Sequence, residues 1–599
     1  MSHVAYIKDE TEIFPSHDKY GYAYLSQKEL PETMRFYSNV MIDLEEEKNY
    51  EMVKNEIVEK INGVISVLRT KDQYSAASYQ GEIDEGKTYV GIFSGMFIII
   101  ALLCVVTTMT RIVQKDRMQI GVMKALGFSD KRISWHYISY TALLSFFGAV
   151  AGVLFGYFWF GKFFLDMQMK YFEMANLKVA TSLDVLIIMI LVLILASSTC
   201  YFTVRSYVRQ PAAEILRAER PKIKSKSLRL TTSKWFEKLS FSSRWNLRDI
   251  IRNKARTVTG VIGVIGCMTL LVCGFSIKDT MDNYIKTELN IINNYKYRLN
   301  ITNEADKKKI TELMDRFSKD SSKTIAIEIK KDDKIKVNSI LVNDAGEKLQ
   351  TLNTDWKPMR LPEDGVVITK KLAENEGYKI GDEITWHMMG EKEYYSTKIV
   401  GINRNPQNQN ITMSRKSYES IGREYVPDSI YLNELPENTF KNTVEGVSSV
   451  QSIDAIRDSM DIMLKTMNKM INLLVIFAVL LGVIIIYNMG ILSFIEKDYQ
   501  FATLKVLGFS DWKISRLFIQ QNIWITVIAI LLGLPAGYAV TDFIFKNAIE
   551  ENYDFGVFVT ISTCTISIFG TFLVSLAVSV WLTKRIGKID MVKSLKANE

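Results

Sequence analysis

Seven stretches of this chain are almost free of charge and are each about 20 residues long, which is roughly what a helix needs to cross 30 Å of hydrocarbon. They run over about 91–110, 137–160, 183–203, 257–277, 469–492, 517–544 and 557–582. One such run can be a buried helix of a soluble fold; seven cannot, so the expected fold class is a polytopic α-helical membrane protein. Composition agrees once position is considered: 48% of the 599 residues are hydrophobic and 23% charged, with the charge gathered between the apolar runs. A disordered chain, a collagen and a small disulfide scaffold are excluded. Cys104, Cys200, Cys267, Cys273 and Cys564 all fall inside the apolar runs, so neither a disulfide framework nor a thiolate metal site is expected. His3, His17, His136 and His387 show no HExxH or paired spacing, and no metal ligand set is expected.

Lysine and arginine set the expected orientation, because loops rich in them stay cytoplasmic. Segment 111–136 carries Arg111, Lys115, Arg117, Lys124, Lys131 and Arg132; segment 204–256 is richer still; the tail after 583 adds Lys584, Arg585, Lys588, Lys593 and Lys596. Alternating spans put these three, and 493–516, on the cytoplasmic side of a cell membrane. The long segment 278–468 and the N-terminal segment then lie outside. Nothing in 1–90 is apolar enough to carry that segment across. The expectation is therefore that an upstream span is missing and that 1–90 is the remnant of a first extracytoplasmic domain.

The chain also repeats itself. Residues 124–134 read KALGFSDKRIS and 505–515 read KVLGFSDWKIS, identical at eight of eleven positions. At the same offset Gln119 meets Gln500, Gly152 meets Gly533, and Gly156 meets Gly537. QPAAEILR (210–217) and IDMVKSLK (589–596) are weaker echoes. Two copies of one membrane unit, in the same orientation, are implied. The expected segments are 91–217 for the first three-span unit, 218–256 for a basic linker and amphipathic helix, 257–277 for a lone span, 278–468 for the outer domain, and 469–599 for the second three-span unit and tail.

Within the repeated loop, Ile120, Met123, Leu126 and Ile133 recur near helical spacing. Gly127 can end one helix in a left-handed conformation, and Ser129 or Asp130 can cap the next. The predicted result is an elbow that exposes Phe128, with Phe509 presented likewise in the second copy. An exposed aromatic on a tight turn suits a partner's pocket. The candidate docking residues are Gln119, Lys124, Gly127, Phe128, Ser129 and Asp130, with Gln500, Lys505, Gly508, Phe509, Ser510 and Asp511. Gly148, Gly152 and Gly156, like Gly533 and Gly537, recur at a spacing that lets helices approach closely in lipid.

The pattern QIGVMKALGFSDKRI following a span and a charged stretch resembles the FtsX-like permease domain. That family supplies membrane subunits of ABC transporters related to macrolide-exporter and lipoprotein-release systems. RWNLRDIIRNKART (244–257) is similar to the family's basic amphipathic helix leading into a span. The family's Glu-Ile-Gly is Gln119-Ile120-Gly121 in the first copy and Gln500-Phe501-Ala502 in the second, so its glutamate is absent at both. The resemblance implies that the elbows are coupling helices seated on two ATPase subunits. ATP and Mg would then be used by that partner, and no cofactor would be bound by this chain.

In 278–468, KDTMDNYIKTELNIINNY reads as an outward extension of the preceding span. Alternation in YRLNIT (297–302), KTIAIEIK (323–330) and KIKVNSILV (334–342) reads as strands. Residues 364–384 read as strand, helix and a Gly377/Gly381-Asp382 turn into another strand; STKIVGI (396–402) is a further strand, and 445–468 a closing helix. The module is expected to be α+β, with no catalytic constellation, and His387 is read as structural. The one match to GxxxxGK[ST], GEIDEGKT at 81–88, runs directly into the first apolar stretch instead of following a strand, so it is not read as a P-loop and the chain is not expected to be an enzyme acting on nucleotide by itself. The basic charge flanks spans and lacks interleaved aromatics, which argues for lipid contact and against nucleic acid. The leading expectation is an ABC permease subunit that exports or extracts an amphipathic peptide, lipid, lipoprotein or drug by mechanotransmission. The alternative is a non-transporting relay that activates an extracytoplasmic partner such as a cell-wall hydrolase.

Overall fold

The computed structural model describes residues 6–7, 40–44, 49–61, 64, 67–70, 74–169, 172–173, 178–216, 238–302, 307–331, 334–391, 393–435, 446–547, 552–584 and 586–588. Most of 1–90, all of 218–237 and the echo at 589–596 lie outside them. Among the described residues seven helices are long and apolar enough to cross a membrane, one for each apolar run.

A short helix, α1 (Tyr50–Lys60), precedes the first spanning helix, α2 (Tyr74–Lys115). After a one-residue break at Asp116 comes α3 (Arg117–Ala125), then α4 (Asp130–Phe155), prolonged through a π turn at Gly156–Phe160 into α5 (Gly161–Gln168). The first unit ends with α6 (Leu183–Val208) and α7 (Ala212–Leu216). An amphipathic helix, α8 (Phe241–Arg252), then leads into α9 (Lys254–Thr287), which extends past the membrane run through a π turn at Glu288–Ile292, as the sequence predicts. Three short helices lie in the domain that follows: α10 (Lys307–Arg316), α11 (Lys370–Glu376) and α12 (Arg415–Ser420). The second unit is α13 (Ile453–Val506), α14 (Asp511–Asn547) and α15 (Ile561–Thr583).

The fourth span, α9, is the centre of the bundle: 72% of its apolar stretch is buried within the protein, against 6–11% for the first three spans. It packs along both α13 and α14. Tight helix contact here rests on glycine. A Cβ on Gly533 would lie 2.8 Å from the Met268 Cβ, and one on Gly537 would lie 2.5 Å from the Val272 Cβ. The corresponding Gly152 and Gly156, and Gly148 beside them, behave differently. Nothing lies within 4 Å of where their Cβ atoms would be, so among the described residues they support no close helix contact. The physical reason is that α9 fills this face in the second unit, whereas no described helix occupies the matching face of the first.

Between α9 and α13 lies the α+β domain. The two-residue strands β1 (Tyr6–Ile7) and β2 (Phe172–Glu173) pair with each other elsewhere; the domain itself begins at β3 (Tyr297–Ile301). Six strands form a closed ring: β4 (Ser321–Lys331), β5 (Lys334–Asp344), β11 (Ile411–Ser414), β8 (Val366–Thr369), β10 (Tyr394–Arg404) and β9 (Glu383–Met388), which pairs back onto β4. β12 (Ser429–Leu432) joins β3 to β4, and β6 (Thr351–Asn353) and β7 (Pro358–Met359) continue from β10; closure leaves no open edge in the ring. Strand period two turns Ile325, Ile327 and Ile329, Ile340 and Val342, Val366 and Ile368, and Ile384 and Trp386 to one apolar interior. Leu372 of α11 and Tyr418 of α12 plug it. Gly377 ends α11 at φ 70°, as its place in the sequence predicts. The expected closing helix at 445–468 needs correction. Val447–Ser452 is a strand, β13, pairing with β3, and α13 starts only at Ile453, where Ser452 caps it.

Candidate docking elbows and the charged hub beside them

Both copies of the repeat make the same turn, and glycine makes it possible. At Gly127 (φ 89°) the glycine N–H donates to the Lys124 carbonyl at 3.0 Å, and the Phe128 N–H reaches back to the Met123 carbonyl at 3.1 Å. At Gly508 (φ 87°) the glycine N–H donates to the Lys505 carbonyl and the Phe509 N–H to the Leu504 carbonyl, each at 3.0 Å. This paired closure, one bond nested inside the other, satisfies carbonyls that a helix end otherwise leaves unpaired. Ser129 caps α4, its Oγ accepting from the Arg132 N–H at 3.4 Å.

The lysines of the motif turn inward. Lys124 Nζ lies 2.9 Å from Asp130 and donates to the carbonyls of Val208 (2.6 Å) and Gln210 (2.7 Å) at the end of α6. Lys505 Nζ makes the matching contact to Asp511 at 2.9 Å. Each pair therefore bolts the elbow shut across its own turn. Gln119 is exposed and Gln500 half-buried, while Ser129, Asp130, Ser510 and Asp511 line the outer rim.

The aromatic pair splits. Phe128 is 42% exposed, its ring under the Arg132 guanidinium at 5.5 Å. Phe509 is half-buried: its ring stacks on Phe241 of α8 at 6.4 Å and packs in the cluster of Phe501, Leu504 and Ile514. The second elbow thus does not present its aromatic as the first does, because α8 covers it. What both elbows share outwardly is leucine. Leu126 is 73% exposed and Leu507 69%. Helical periodicity had placed Leu126 with the inward-facing Ile120 and Ile133, but it falls at the helix end, where the chain leaves the helical path. Its identity at both copies was the one available signal of its role.

Next to the second elbow lies a set of buried charges that sequence reasoning passed over. Asp249 of α8 accepts from Arg256 at 2.5 Å, Lys497 at 3.0 Å and Gln521 at 2.7 Å through Oδ2, and from Asn253 at 2.8 Å through Oδ1. Arg256 also pairs with Glu496, and Lys497 donates to the Gln521 oxygen at 2.6 Å. Gln114 of α2 reaches Glu496 at 3.4 Å, so the hub joins α2, α8, α9, α13 and α14. Side chains of Asp249, Arg256 and Lys497 are 5% exposed or less. Two anions balance two cations, the condition under which such a group can be buried at all.

At the far end of α13 the ring-strand domain is latched to the second unit. Arg404 of β10 grips Asp554 in the α14–α15 loop with two hydrogen bonds (2.8 and 2.6 Å) and stacks on Trp356 at 4.3 Å. Lys371 donates to the Tyr553 carbonyl at 2.7 Å. Helix α1 docks on the same domain through Lys54, 2.9 Å from Glu328, whose other oxygen lies 3.0 Å from His387 Nε2. With its Nδ1 against the Met388 and Glu391 carbonyls at 3.0 and 2.9 Å, His387 is held as a structural link, far from either elbow in the chain.

A multi-pass membrane protein built as two equivalent three-helix units is the class that this fold and these elbows define. The family model described as FtsX-like permease C-terminal matches the chain twice, over residues 91–212 and 472–591, and each match contains one elbow. The chain accordingly carries the FtsX-like permease C-terminal domain in duplicate. A search among curated proteins finds no match.

Proposed function

We propose that this chain is the permease subunit of an ABC transporter, and that separate ATPase subunits dock on its two elbows. The reading is supported above all by one observation: two turns with the same nested hydrogen bonds and the same lysine–aspartate bolt present Leu126 and Leu507, each about 70% exposed, at equivalent ends of the two units. Exposed apolar side chains on a rigid turn are suited to partner pockets, while the bolts keep the turn from yielding under load. ATP and Mg belong to the partner, and the elbows face the cytoplasm. Work applied there passes along α13 to the latched domain and moves an amphipathic substrate. The Arg404–Asp554 latch favours a mechanical route of this kind, and the same route serves a relay to an extracytoplasmic partner.

The test is co-purification of the chain with its ABC ATPase partner. Leu126→Asp with Leu507→Asp is expected to abolish it while membrane insertion and Tm are kept. Phe128→Ala alone is expected to weaken it. Undiminished recovery of the ATPase with the double aspartate variant refutes docking at the elbows. ATPase activity with movement of a compound then separates transport from relay, in which a bound hydrolase is switched on instead.

A further inference from the structure

A second site lies where the ring-strand domain meets its two supporting helices. A cavity of about 370 Å³ opens between the π turn that ends α9, the first turns of α13 and the loop joining β10 to β11. That volume is in the range of small-molecule pockets. A third of its wall is amides, Asn293, Asn405, Gln407 and Asn410 among them, set beside apolar residues such as Ile292 and Met460, with Glu288 as its one carboxylate. The β10–β11 loop reads NPQNQN (405–410) and is held stiffly. The Asn405 Oδ1 accepts from the Gln407 N–H at 3.0 Å, the Gln409 Nε2 donates to the Asn405 carbonyl at 2.7 Å, and the Gln407 side chain is tied to the Tyr284 hydroxyl.

Glu288 is the feature that calls for a ligand. It is 8% exposed, and one carboxylate oxygen accepts from Asn293 at 2.8 Å while the other has no hydrogen-bond partner in the structure. No lysine or arginine among the described residues pairs with it, although Arg298 lines the same cavity and is engaged by Ser429 at 2.9 Å. Asn410, 6% exposed, likewise leaves its Oδ1 unpartnered. One buried carboxylate oxygen and one buried amide oxygen, both lacking donors, cost stability until a donor reaches them. Burial raises the Glu288 carboxyl pKa to about 7, and once ionised it only accepts; beside the amides it is then matched by a cationic N–H donor flanked by groups that both give and take hydrogen bonds.

The geometry points to a binding site for a small polar ligand carrying one primary ammonium, its charge on Glu288 and its hydroxyl or amide groups on the asparagine and glutamine wall. A lysine side chain and an amino sugar share this chemistry. Because the cavity is walled by the domain and by both helices that descend from it, occupancy would draw those three elements together. The site is independent of ATPase docking.

The test is binding to the full chain in lipid nanodiscs without any ATPase, by calorimetry at pH 7.5. The probes are Nα-acetyl-lysine amide and glucosamine, with acetyl-norleucine amide and N-acetylglucosamine as neutral counterparts. At least one amine is expected to bind saturably, its Kd at least tenfold tighter than that of its neutral counterpart, and the stronger amine identifies the source. Glu288→Gln is expected to weaken it tenfold or more. Should that variant fail to fold, Ser339→Leu leaves the carboxylate intact and fills the cavity, and is expected to abolish binding. The proposal is overturned if neither amine binds saturably, if the neutral counterparts bind as well, if Glu288→Gln binds as wild type does, or if Ser339→Leu still binds.

Discussion

Consider replacement of Asp249 by Asn in the buried hub. In the native protein its carboxylate receives Arg256, Lys497, Gln521 and Asn253 at 2.5–3.0 Å. Removal of its charge leaves two cations and the single anion Glu496 in a site where Arg256 and Lys497 are 4% and 3% exposed. Arg256 retains Glu496, whereas Lys497 keeps the neutral Gln521 oxygen in place of its carboxylate. Breaking a buried pair by removing one partner costs about 3–5 kcal/mol, so about 3 kcal/mol is expected here, given that Arg256 keeps a partner. Unfolding of the purified chain by SDS titration, followed by tryptophan fluorescence, measures it. The decisive comparison is the double variant Asp249→Asn with Lys497→Met, which restores equality of charge. It should regain about 2 kcal/mol relative to simple addition of the two single losses. A single-variant loss under about 1 kcal/mol, or strict additivity, refutes the claim that charge balance governs this hub.

Glycine substitutions should divide by unit. Gly537→Ala puts a methyl 2.5 Å from the Val272 Cβ and is expected to cost about 1–3 kcal/mol by overpacking, whereas Gly152→Ala meets nothing and is expected to be neutral or to add about 0.5–1 kcal/mol, both read from the same SDS titration. Phe509→Ala, which empties a packed position, should lower the transition by about 2–3 kcal/mol, while Phe128→Ala should change it by under 1 kcal/mol. Asp554→Ala is expected to increase limited proteolysis of the α14–α15 loop and to lower Tm, because the half-buried Arg404 guanidinium loses both of its hydrogen bonds there.

The seven spans and the duplication were legible because each is a local property of the chain. Apolar runs report themselves, and a repeated KxLGFSD needs no third dimension to be seen. The elbow was equally local: Gly127 and Ser129 carry the turn and the cap in their own backbone preferences. What escaped was decided by contacts between distant segments. Phe509 reads like Phe128 until Phe241 covers it, and Leu126 reads as inward until the chain departs from the helix beneath it. Arg256, Lys497 and Asp249 flank spans, where charge has an adequate explanation in membrane topology, so nothing in the string marks them as one cluster. Strands β4 and β9 are visible singly, but the pairing of Ile329 with Trp386 that closes the ring is not. The glycine stripes show the same limit, since identical spacing in the two units meets a neighbour in one and open space in the other.

Helix α13 runs for 54 residues without a proline, from the strand that enters it to the second elbow. At 1.5 Å per residue that is a single rod of about 80 Å, well over twice the depth of a bilayer's oily interior. A strut of that length, lacking any joint along it, has little means of absorbing motion by folding on itself. Tilting or sliding one tip therefore obliges the opposite tip to swing, and the amplitude of that swing is set by where the rod pivots among its neighbours.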